Sequence, residues 1–440
     1  MSIQAAEVAA AVPNRRQVVS ATIASLLGWS LDLFDLFVLL YVAPEVGQLF
    51  FPSGNPTLSL ASVYGSFAVT LLMRPIGSGV FGSLADRYGR KRAMITAVIG
   101  VGVLTALFGT LPTVHQVGIL APVLFLLLRL VQGVFVGGVV ASTHTIGTES
   151  VNPRWRGLMS GLVGGGGAGV GSLIASIIYY ILSAIFPGPE FAVWGWRCMF
   201  FSGVFSAILG VFVFNSLEES PMWLKAKAPE AGTNAVKQAP VKTIFSRRYL
   251  PTLLVNLMIT IGGGTGYYLT SGYLPTFFKE VNHLSSGSSS LILILTSIIV
   301  IIAAVLVGHL SELIGRKKTF LITGVVAAVL VPFLFHGMAS THSMAQVTID
   351  ALILTFMGNA VYAPIVAFLN ERFPTSIRST GTGLSWNIGF AVGGMLPTFV
   401  SLTAGSTQNI PVALTYFLMA ALVLYLIGGL IVPESKGHFE

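Results

Sequence analysis

A chain of 440 residues that is 54% hydrophobic and only 9% charged is no soluble globular protein, since such domains carry roughly 25% charged residues. Its net charge of +8 would suit nucleic acid only if the basic side chains lined a solvated face. Of the 24 Lys and Arg, Arg74 and Arg129 fall inside apolar runs, Arg197 and Lys279 fall on one side of them, and the other 20 fall on the opposite side, which excludes nucleic acid and names the lipid bilayer as partner.

In chain order, apolar runs near the ~20 residues that cross a bilayer lie at 18–43, 60–84, 93–111, 118–142, 157–186, 196–216, 250–275, 290–310, 319–338, 347–369, 380–403 and 411–432. They predict an all-α membrane protein of twelve transmembrane helices. The basic side of the chain marks the cytoplasm, placing both termini there and the chain in an inner or plasma membrane. The first run is too long for a signal-peptide core and holds Asp32 and Asp35, so it reads as a retained span. A lone cysteine, Cys198, excludes an internal disulfide and offers no metal site. No metal-ligand spacing, phosphate loop or catalytic constellation accompanies it, so neither an enzyme nor a resident cofactor is expected.

Span 1 carries Asp32 and Asp35, span 2 Arg74 and span 4 Arg129. Each charge costs at least ~2.5–3.5 kcal/mol near a helix centre unless paired or hydrated, which makes each a functional candidate. At ~1.5 Å per residue, Asp32, Asp35 and Arg129 lie about 24, 28 and 24 Å from the cytoplasmic edge and Arg74 about 16 Å. Asp32 and Asp35, three apart, share a helix face. Crowding and desolvation there favour a protonated acid, while a mobile arginine nearby favours the ionised one, so the proton is the predicted coupling ion. Arg74, near the midplane, presents a planar fork matched to a carboxylate and is the first candidate for gripping a small organic anion, with Arg129 sharing the task. Span 5, with Gly161, Gly164, Gly165, Gly166, Gly167, Gly169 and Gly171, permits close helix approach. Beyond span 6, residues 217–249 form a polar linker between an N-terminal half, 1–216, and a C-terminal half, 250–440. The C-terminal spans add uncharged groups for the facing wall: Asn256, Tyr267, Tyr268, Tyr273, Asn359, Tyr362, Trp386 and Asn387.

Gly82-Ser-Leu-Ala-Asp86-Arg87-Tyr-Gly89-Arg90-Lys91-Arg92 recurs 226 residues on as Gly308-His-Leu-Ser-Glu312-Leu-Ile-Gly315-Arg316-Lys317-Lys318. Weaker echoes pair Glu149 and Arg156 after span 4 with Glu371 and Arg378 after span 10, and Glu219-Ser-Pro after span 6 with Pro433-Glu-Ser after span 12. The chain is thus two six-helix halves in parallel repeat, a transporter architecture.

These turns, with Arg129-Leu-Val-Gln132-Gly133 in span 4, resemble the major facilitator superfamily over essentially the whole chain. Gly28-Trp-Ser-Leu-Asp32-Leu-Phe-Asp35 and Met73-Arg74-Pro75 are similar to its proton-coupled organic-acid symporters of the lactate/sialate and metabolite groups. The resemblance implies a monomer working by alternating access, with Asp35 pairing with Arg129. It also implies that Asp86 closes on span 11 and Glu312 on span 5 near Gly157, with Arg90 and Arg316 clamping acids. The function read from all this is import of a small organic anion, a monocarboxylate, with a proton. Uniport or symport of a zwitterionic or neutral metabolite is the alternative, with Asp and Arg mutually neutralised, and a transporter-like receptor is the third.

Overall fold

With no water in a bilayer to take up backbone polar groups, a spanning segment must satisfy them internally, and every regular element described is helical. The computed structural model describes residues 15–88, 90–149, 155–215, 243–374 and 378–436. Helices α1 Arg15–Tyr41, α2 Pro56–Tyr88, α3 Arg90–Phe108 and α4 Leu120–Glu149 are followed by α5 Arg156–Ile185 and α6 Phe191–Phe212. The C-terminal series is α7 Leu250–Tyr267, α8 Ser286–Ile314, α9 Arg316–Ser340, α10 Met344–Asn370, α11 Arg378–Ala404 and α12 Ile410–Ile431.

Ten of these rods, among the described residues, are long and apolar enough to cross a membrane. The other two are α3, whose described apolar stretch is the shorter Ile95–Phe108, and α7, diluted by Asn256, Thr260 and Gly262–Gly264. The α7 rod runs on through a π turn, Tyr268–Gly272, into Leu274–Glu280, past the predicted end at 275. Another π turn, Leu162–Gly166, lies in the glycine run of α5.

Packing repeats with a shift of six helices. The contacts α1–α5, α2–α4, α3–α6 and α3–α4 in the first half recur as α7–α11, α8–α10, α9–α12 and α9–α10 in the second. The halves meet along α5–α8 and α2–α11, two seams that the same pseudo-twofold exchanges. At α5–α8 the missing side chains decide the spacing: a Cβ on Gly161 would lie 2.1 Å from the Ala304 carbonyl oxygen, and one on Gly308 would lie 2.8 Å from that of Gly157.

Candidate functional site

Between the seams, α1, α2 and α4 face α7, α10 and α11. Asp32, Asp35, Arg74 and Arg129 are all buried. Arg74 Nη2 stands 3.7 Å from Asp32 Oδ2. Counting helical rise had put Arg74 about 8 Å below Asp32; tilted helices and a long flexible side chain close that gap. Neither Asp32 oxygen accepts a hydrogen bond among the described residues, nor does Arg74 Nε donate one. The pair is therefore neutral overall but unsaturated, a state that costs free energy and leaves donors and acceptors for a polar ligand.

Opposite the pair stands a wall of rings. Tyr267 and Tyr268 lie within electrostatic reach of Asp32, and Tyr268 and Tyr362 within that of Arg74. Tyr267 and Tyr362 are 5.5 Å apart between centroids, and Tyr362 meets Trp386 edge to face at 5.6 Å. Rings also bridge the halves: Trp29 meets Trp386 at 5.9 Å, Phe37 meets Tyr267 at 6.1 Å and Phe67 meets Tyr268 at 5.7 Å. Tyr267 Oη, Asn359 Oδ1 and Asn387 Oδ1 are buried without a hydrogen-bond partner among the described residues. This wall carries no charge.

Two sequence candidates lie elsewhere. Asn256 is held by Ser385 and Arg372, each at 3.3 Å. Tyr273 stacks on Tyr64 at 5.2 Å and bonds Ser401 at 2.8 Å, toward the end where Tyr64 bonds Thr276 at 2.8 Å and Lys279 pairs with Glu45 across the halves.

Asp35 and Arg129 form no ion pair within 4 Å among the described residues. Asp35 accepts from Ser206 Oγ at 3.4 Å. Arg129 donates to Gln132 Oε1 at 2.7 Å and lies over the Phe108 and Phe125 rings at 4.2 and 5.2 Å, a favourable seat for a desolvated guanidinium. Sequence reasoning did not single out Trp29, Thr105, Gln132 or Ser206 as site residues. Gln132 was accessible through its i+3 spacing from Arg129, whereas single hydroxyls in apolar runs carry no comparable signal.

At the repeated-turn end, Glu312 Oε2 accepts from the Gly157 N–H at 2.9 Å, joining α8 to α5. Arg316 donates to Glu312 at 2.7 Å and to Glu371 at 2.8 and 3.1 Å, while Gly315 turns the chain with a φ of 99°, where a Cβ is disfavoured. Arg156 opens α5 at the same end. The side chains of the companion set, Asp86, Arg87, Arg90, Glu149 and Arg378, lie outside the described residues, as do the surroundings of Gly82 and Gly89.

The profile described as Major Facilitator Superfamily matches residues 18–396 and 261–437. A glycine betaine/proline/ectoine/pipecolic acid transporter of Dickeya dadantii is 28% identical over 419 residues, 94% of this chain and 83% of that one. An inner membrane metabolite transport protein of Escherichia coli K12 is 30% identical over 422 residues, 94% of each chain. A solved D-xylose-proton symporter superposes with a TM-score of 0.70 at 20% identity, over 96% of this chain and 99% of that one.

These relatives bear out the superfamily but not organic-acid symporters in particular, and they overturn one expectation, a small organic anion, a monocarboxylate, as substrate and partner. The physical reason lies in the Asp32–Arg74 pair. An arginine already neutralised by a buried carboxylate offers no net positive charge to an anion.

Proposed function

The chain belongs to the Major Facilitator Superfamily, and from that premise we propose that it imports a small zwitterionic osmolyte, of the betaine or proline kind, together with a proton. The observation that carries this reading is the buried, unsaturated Asp32–Arg74 pair set against an uncharged aromatic wall. A zwitterion complements such a pair charge for charge. Its carboxylate takes the Arg74 fork, and its cationic nitrogen takes Asp32 and the faces of Tyr267, Tyr268 and Tyr362, where a desolvated cation gains about 2 kcal/mol per ring. The substrates named for the Dickeya transporter support the same class.

Asp35 is the coupling acid in this reading, buried beside Asp32 and away from a direct arginine partner. The repeated turns face the cytoplasm with both termini, as the 20 basic residues on that side favour. Alternating access rocks the halves on the α5–α8 and α2–α11 seams.

The test is uptake into proteoliposomes with an inward proton gradient, offering glycine betaine, proline, xylose and lactate separately. Gradient-driven accumulation of betaine or proline is the expected result. Accumulation of xylose in their place, or accumulation indifferent to the gradient, would overturn the proposal.

A further inference from the structure

Asp35 and Arg129 are both buried, and a file of polar side chains stands between them. Gln132, one turn after Arg129 on α4, accepts from Arg129 Nη1 through its Oε1 at 2.7 Å. Its Nε2 donates to Thr105 Oγ1 on α3 at 2.8 Å, and the Thr105 hydroxyl lies within electrostatic reach of Asp35. Chemistry fixes the direction of this file. A guanidinium only donates, so the amide oxygen must face it and the amide nitrogen must face Thr105. With its oxygen engaged as acceptor, Thr105 directs its hydrogen to the carboxylate. Donation therefore runs one way, from Arg129 through Gln132 and Thr105 to Asp35.

Such a file stabilises an ionised Asp35, because each bond polarises the next toward the acid. A protonated carboxyl, itself a donor, deprives the last link of a charged acceptor. Reversal is barred, since flipping the amide would aim its NH₂ at the guanidinium. We infer that Gln132 and Thr105 are positioning residues for the proton-coupling step, transmitting the protonation state of Asp35 to the seat of Arg129. Once Asp35 is protonated the file slackens, and the Arg129–Gln132 bond loses its polarisation while the contacts with the Phe108 and Phe125 rings persist. The other groups facing Asp35 are Asp32 from its own helix, Arg129 from α4 and Ser206 from α6, with Arg74 of α2 reaching Asp32. This inference rests on the reading of Asp35 as coupling acid.

Full-length protein in liposomes provides the test, with glycine betaine counterflow measured over a pH series beside accumulation driven by a pH gradient. Gln132→Leu and Thr105→Val should each move the alkaline limb of the counterflow profile upward by about one pH unit, the worth of one hydrogen bond to a charged group. The double variant should move it no further, because both changes cut one file, and Thr105→Ser should restore the original profile. If Gln132→Leu does not fold, Thr105→Val carries the same expectation. A limb that stays in place in Thr105→Val, shifts that add in the double variant, or a serine variant behaving like valine would overturn the inference. Accumulation that survives in Asp35→Asn would instead refute the coupling reading itself.

Discussion

Gly161→Ala tests whether the α5–α8 seam is a moving contact. The added Cβ would lie 2.1 Å from the Ala304 carbonyl oxygen, so it must recede by about 0.9 Å to reach the 3.0 Å below which real Cβ atoms essentially never approach. The obstacle is backbone, which no rotamer change relieves, and overpacking of this kind costs roughly 1–3 kcal/mol. Helix propensity favours alanine by about 1 kcal/mol, but in every conformation where α5 stays helical. The gain therefore cancels between states, and only the clash survives in their ratio. Conformations closed at the repeated-turn end should lose roughly five- to 150-fold in population, while the melting temperature moves little because propensity and clash offset each other. Electron–electron distance measurements between spin labels on the α5 and α8 ends read that ratio. An unchanged distance distribution, or a large fall in melting temperature with no redistribution, would refute the reasoning and make the seam a fixed packing contact.

Arg74→Lys keeps the charge but loses the fork, and should weaken betaine binding by about tenfold, the worth of one charge-assisted hydrogen bond; isothermal titration with unchanged affinity would place Arg74 outside the substrate site. Glu371→Gln removes one of two carboxylates from Arg316, which is itself fully buried, and should destabilise the fold by up to about 3–5 kcal/mol, read as a lowered melting temperature. Glu312→Ala severs the bond to the Gly157 N–H between the halves, and should raise labelling of cysteines introduced at the turn end, by roughly five- to 150-fold for about 1–3 kcal/mol lost. Because Glu312 also pairs with Arg316, melting falls in both variants and labelling separates them; equal labelling would deny that the Glu312 contact bridges the halves while the Glu371 contact does not.

The spans and the duplication were legible because both are properties of consecutive residues. Apolar length needs no knowledge of neighbours, and the Gly82–Arg92 turn repeats at Gly308–Lys318 whatever the packing. Span ends slipped where helix outlasts hydrophobicity, as in α2, which runs from Pro56 to Tyr88 beyond an apolar run at 60–84. The charged site residues stood out because intramembrane charge is rare. Their partners were legible only as alternatives, since partner choice is lateral: Arg74 meets Asp32 from another helix, as the mutually neutralised reading has it, while Arg129 turns to Phe108, Phe125 and Gln132. Asn256, read as a wall residue, bonds neighbours within the C-terminal half, and Tyr273 bonds Ser401 and stacks on Tyr64, a matter of helix rotation that a polar residue in an apolar run does not reveal.

By itself, the order of residues determined a polytopic helical protein of two related halves, with its membrane-embedded charge in the first. Tertiary structure decided what that charge can do. Pairing within 3.7 Å turned an apparent anion receptor into a neutral, two-signed site, while Arg129 bonds Gln132 in place of Asp35. The reason is physical: hydropathy acts along one helix at a time, whereas the sign and reach of a buried charge depend on which helices its neighbours come from.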